Sequence, residues 1–144
     1  MKRFALAFVA LAGCSSGPES FGGPPLRITW GTAGKQRDIL TVFGPDVRIP
    51  ILYLEAYCRS GSTDRKWQDT CIPHKTAKLE ESADGRFIKL RCEVQGGVEV
   101  THEIRSGAGE VDFRVEAINR GAEYVDAVWV QPCVRVGEFA GADQ

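Results

Sequence analysis

Apolar and polar residues alternate at every second position over three successive stretches of the chain. In FIKLRCEV, residues 87–94, Ile88, Leu90, Cys92 and Val94 fall on one side and Lys89, Arg91 and Glu93 on the other. In VEVTHEI, residues 98–104, Val98, Val100, His102 and Ile104 oppose Glu99, Thr101 and Glu103. In VDFRVEA, residues 111–117, Val111, Phe113, Val115 and Ala117 oppose Asp112, Arg114 and Glu116. A period of two belongs to a strand with one buried face. Gln95-Gly96-Gly97, Ser106-Gly107-Ala108-Gly109 and Asn119-Arg120-Gly121 supply turns, since glycine takes positive φ without strain. Three strands joined in this way predict an antiparallel meander with one wet face.

Two other runs, residues 49–58 (IPILYLEAYC) and 124–136 (YVDAVWVQPCVRV), are apolar on both sides and predict strands covered on both faces. Shorter strands are expected at residues 26–30 and 39–43. No stretch after the N-terminal leader has a helical period. The pattern predicts an all-β fold, an antiparallel β-sandwich over residues 26–144 with no substantial helix. The tail GEFAGADQ adds no closing element, which fits a chain truncated at its C-terminus as well as a complete one.

Residues 1–13 have the layout of a secretory signal peptide: Lys2 and Arg3, an apolar core from Phe4 to Leu11, then small residues. Leu11-Ala12-Gly13-Cys14 resembles the lipobox of bacterial lipoproteins. The resemblance implies lipidation of Cys14, with membrane attachment through its acyl chains. Ser15 after the cysteine fits sorting to the outer membrane, facing the periplasm or the cell surface. Residues 14–25 are otherwise rich in serine, glycine and proline and are expected to be a flexible tether.

Composition narrows the partners. The formal charge is −1, and without Lys2 and Arg3 it is about −3. With no basic stripe, nucleic acid is not expected as a partner. No phosphate-binding glycine loop, nucleotide fingerprint or Ser-His-Asp order is present, and no cofactor is expected. Cys71-Ile72-Pro73-His74 has a metal-like spacing but lacks a second pair, so no metal site is expected. Apart from Cys14, the cysteines are Cys58, Cys71, Cys92 and Cys133, whose three pairings stay open; Cys58–Cys71 would clip a loop and Cys92–Cys133 would join strands. His102, on the inward side of its strand, is expected to be a hydrogen-bonded core or pocket-wall residue.

The richest polar cluster is RSGSTDRKWQDTCIPHKT, residues 59–76. Arg59, Asp64, Arg65 and His74 offer charge-assisted hydrogen bonds, and Trp67 offers a flat apolar face. That mixture suits a carbohydrate, whose C–H face stacks on an aromatic ring while its hydroxyls meet charged groups. Trp129 and Gln131, in the later apolar run, are expected to line a concave face of the sheet that would also meet the ligand. Glu55 interrupts an apolar strand and needs a partner, for which Arg59 and Arg135 are candidates.

Residues 46–141 resemble a group of uncharacterised bacterial secreted proteins through YLEAYCRSGSTDRKW, IPHKT, GEVDFRVEAIN and WVQPCVRV. The group is similar to a branch of the galactose-mutarotase-like β-supersandwich. This implies a sugar-handling architecture of which the chain would supply the first part. Mutarotases carry a catalytic histidine in the strand matching Val128-Trp129-Val130-Gln131; none stands here, so no catalytic residue is carried over. The expected protein is an envelope lipoprotein with a carbohydrate-binding or carbohydrate-associated module, more a binder than an enzyme. The alternatives are a scaffold for an envelope protein partner and a saccharide-active enzyme using Glu55, His74 and His102.

Overall fold

The structure is a computed structural model describing residues 23–33, 36–61 and 64–136, without the side chains of residues 32–37. The leader, Cys14, most of the tether and the tail from residue 137 lie outside the described residues.

Two antiparallel sheets pack face to face. The first contains β1 (Arg27–Ala33), β2 (Gln36–Phe43), β3 (Arg48–Cys58), β4 (Cys71–Ile72) and β9 (Trp129–Val134). β3 is its centre: β2 and β4 pair along one edge and β9 along the other. The second sheet is a four-strand meander of β5 (His74–Glu81), β6 (Phe87–Val94), β7 (Val98–Ser106) and β8 (Val111–Asn119). The one α-helix among the described residues, α1 (Trp67–Thr70), is a single turn. The all-β sandwich expected from the alternation is what forms.

Between the sheets, Ile28, Leu40, Val42, Ile51, Tyr53, Leu54, Tyr57 and Ile72 of the first meet Ile88, Leu90, Cys92, Val94, Val100 and Ile104 of the second. Those of the second sheet are residues that the period-two pattern assigns to one face of their strands, and removing the whole set from water is the main driving force for closing the sandwich. The opposite face of the second sheet is charged. Lys89 reaches Glu103 at 3.0 Å and Arg120 reaches Glu99 at 2.8 Å. Such exposed pairs keep the face wet more than they add stability.

Three expectations change. Residues 124–128 form no strand, and β9 is half-buried to exposed rather than covered on both faces. It pairs with β3 alone and contains Pro132, which has no N–H to donate to a second neighbour. β5 was hidden in the sequence because Lys75, Lys78, Glu80 and Glu81 place charge on both of its faces, as edge strands tolerate. β4 is only two residues long, too short to carry a period.

Candidate ligand-binding site

Every residue of interest is arranged around the second half of β3. A regular strand would put Tyr53, Glu55 and Tyr57 on one face, toward the core. The register instead slips between Leu52 and Ala56, opposite Pro132, with Leu52 facing Cys133 and Ala56 facing Gln131. Leu54 takes φ 65°, a left-handed conformation uncommon for a branched side chain. This bulge carries Leu54 into the core and leaves Glu55 exposed. Glu55 accepts a hydrogen bond from the Gln131 amide at 3.2 Å, so neither Arg59 nor Arg135 is the partner expected from the sequence. The exchange is favourable: left-handed strain costs about 1–3 kcal/mol, and an unpaired carboxylate in the core would cost several.

On the core side, the bulge leaves two tyrosines pointing at one histidine. His102 is fully buried; Tyr53 Oη lies 3.0 Å from its Nδ1 and Tyr57 Oη 2.9 Å from its Nε2. A neutral imidazole accepts at one nitrogen and donates at the other, so one hydroxyl donates to the ring and the other accepts from it. The Tyr57 hydroxyl also lies against the Cys92 thiol, which contacts Thr76 Oγ1 at 3.4 Å. Burial drives both tyrosine hydroxyls well above their ordinary range, with the Cys92 thiol adding to it. Burial, and secondarily the nearby His74, push His102 down to about 4. The cluster is a satisfied polar knot inside the sandwich. Both ring nitrogens of His102 are engaged within it.

The outward side is different. Val130 packs on the core, so its neighbours Trp129 and Gln131 project away from it. Trp129 stands opposite Cys58, which in turn stands opposite Cys71. From the end of β3 the chain leaves through residues 59–70. That connection is held at both ends. Arg59 N–H donates to Thr70 C=O at 3.0 Å, and the N–H groups of Asp69 and Thr70 close α1 onto Lys66 C=O at 2.9 and 3.1 Å. Thr70 is wholly buried. Ser60 Oγ donates to the Asp126 carboxylate at 3.0 Å, tying the connection to the segment that leads into β9. Trp67, at the start of α1, is 45% exposed.

Arg59, Asp64, Arg65 and Trp67 therefore share one braced connection, with Trp129 beside its root. Arg65 and Asp64 are exposed and Arg59 is half-buried. His74 is set apart from them. As the first residue of β5 it faces Val94, and its ring meets that of Tyr57 edge-on at 5.0 Å, on the inner side of the first sheet. Gln131 is engaged by Glu55. Ser60 and Asp126 do not stand out in the sequence, because nothing in either local pattern links residues 66 positions apart.

Comparison of the chain with family models, curated proteins and solved structures returns no match. No helix among the described residues is long and apolar enough to cross a membrane.

Proposed function

We propose that this protein is an exported, lipid-anchored envelope protein whose sandwich binds carbohydrate without turning it over, at the surface formed by Trp67, Arg59, Asp64 and Arg65, with Trp129 at its border. The observation that carries the reading is the exposed Trp67 ring on a connection fixed by backbone hydrogen bonds. A rigid aromatic plate loses little freedom on stacking, and guanidinium and carboxylate groups around it match sugar hydroxyls. The resemblance of residues 46–141 to the galactose-mutarotase-like group implies the same ligand class. An acid–base role for Glu55, His74 and His102 has less support, since Glu55 faces outward and both ring nitrogens of His102 are bonded in the core.

Tryptophan fluorescence titrated with a panel of bacterial and plant glycans tests the site. Trp67→Ala is expected to weaken binding about tenfold, near the upper end of what one stacked ring supplies. Equal affinity for wild type and variant would reject the assignment. A second reading, a scaffold for another envelope protein, draws support from the exposed apolar residues Tyr124, Val128, Val134 and Val136 along one segment. It expects no glycan affinity and co-purification of a partner that Tyr124→Ser releases. The anchor has its own check: labelled palmitate is expected to enter the wild-type chain in cells and not the Cys14→Ala variant, and an unlabelled wild type would remove the lipoprotein part.

A further inference from the structure

Cys58 and Cys71 face each other directly across β3 and β4. The Arg59 N–H donates to Thr70 C=O, one residue outside the pair on each strand. In an antiparallel ladder that flanking bond marks Cys58 and Cys71 as a non-hydrogen-bonded pair. Such pairs have Cα atoms about 4.5 Å apart and side chains close together on the same face. A disulfide spans Cα separations of about 4.4–6.8 Å.

The other pairings fail on geometry. Cys92 points into the core from the second sheet, against Thr76 and Tyr57. Cys58 and Cys71 alternate with the core residues Tyr57 and Ile72 and so face out of the first sheet, and packed sheets lie about 10 Å apart. Cys133 stands opposite Leu52, which alternates with the core residues Ile51 and Tyr53, so it faces out of the first sheet and away from Cys92, and it lies four residues along β9 from the Trp129 that faces Cys58. Four residues of strand cover about 13 Å, beyond the reach of a disulfide.

We infer that Cys58 and Cys71 form a disulfide that clamps the Trp67-bearing connection, residues 59–70, at its base. The bridge rests on strand register and not on the carbohydrate reading. The reaction needs a small disulfide, RSSR, as oxidant. Cys71 is half-buried and Cys58 fully buried, so Cys71 is the accessible thiol. Its thiolate attacks RSSR, forming a Cys71–SR mixed disulfide and releasing RS⁻. The Cys58 thiolate then attacks the Cys71 sulfur and expels the second RS⁻. The two thiol protons end on the two RSH products: the protein pair is oxidised by two electrons and RSSR reduced by two. Burial, with the Glu55 carboxylate nearby, holds both thiols above their ordinary range, so little thiolate is present and the exchange with RSSR is slow.

The test takes the full chain, treated with either oxidised glutathione or a phosphine reductant, then alkylated and mapped by mass spectrometry. The expected product joins the peptides containing Cys58 and Cys71 and leaves Cys92 and Cys133 alkylated. Absence of that link, or a link to Cys92 or Cys133, overturns the pairing. On the native protein, tryptic cleavage after Arg65 and Lys66 is expected to be at least about tenfold slower in the oxidised form, with Tm about 10 °C higher. Equal cleavage rates in a chain shown to carry the bridge would overturn the clamp. Cys71→Ser serves as a second variant: its cleavage rate is expected to match the reduced form and to ignore the oxidant, and oxidant-dependent protection in it would also overturn the clamp.

Discussion

Acidifying from pH 7 to pH 4 is expected to remove about 3 kcal/mol of folding stability through His102 alone. The folded state protonates this ring only near pH 4, whereas an unfolded chain does so near its ordinary value of 6.5. Between those values the unfolded state holds more protons, so stability falls with pH. It is complete above about 6.5, declines across the window and levels off below about 4. The cause is structural: imidazolium would donate at both nitrogens, in a site without solvent, toward two tyrosine hydroxyls of which one now donates to the ring. Asp84, Glu99 and Glu103 also lose stability in acid, because hydrogen bonds from Ser82, Arg120 and Lys89 respectively lower their pKa values. Their loss begins near pH 5, as glutamates with an ordinary value of 4.5 start to protonate in the unfolded chain, so the interval from 6.5 to about 5 isolates His102. Urea unfolding at half-unit steps is expected to show the decline in wild type and a flat line in His102→Gln. A flat wild-type profile would contradict the sealed site.

Replacing Gly96 by alanine is expected to cost about 3 kcal/mol, enough to lower Tm by roughly 10 °C. Gly96 has φ +99°, which an L side chain rarely adopts, and a Cβ there would stand 2.6 Å from Val125 Cγ2. Neither strain is easily relieved, because this β6–β7 turn is wedged against the segment that follows β8. A Cβ on Gly121 would meet Gly96 C=O at 2.6 Å, and Arg120 N–H donates to Gly97 C=O at 2.9 Å. That segment carries Asp126, the brace on Ser60, so the variant is also expected to loosen the Trp67 connection and change its fluorescence. Gly31→Ala is the control: a Cβ there meets nothing within 4 Å, and its effect is expected to stay within about 0.5 kcal/mol. Equal stabilities of the two variants, measured by thermal unfolding, would show that the turn is not wedged.

The core was legible in the sequence, because alternation is a local property. Ile88, Leu90, Cys92 and Val94 point inward as their period requires, and so do Val100, His102 and Ile104. The parts that were not legible depend on neighbours distant in sequence. β5 looks like a polar loop until its pairing with β6 is known. The 124–136 run looks like one covered strand, but Tyr124 is 83% exposed and pairing begins only at Trp129. Glu55 looked like a buried charge in search of an arginine; one left-handed residue at Leu54 turns it outward. The Trp67 cluster was visible from composition, but the bonds that steady it, from Ser60 to Asp126 and from Arg59 to Thr70, are tertiary.

The central claim is that β3 divides the molecule into a closed interior, where its tyrosines lock His102, and an outward side that carries the Trp67 connection. The most direct measurement is a pH titration of the His102 ring followed by ¹⁵N-resolved NMR. The expected result is a single neutral tautomer, with one protonated and one bare nitrogen, unchanged from pH 8 down to about 5 and titrating near 4. A ring titrating near 6.5, or exchanging its N–H freely with water, would contradict the account and return His102 to the list of groups able to act on a substrate.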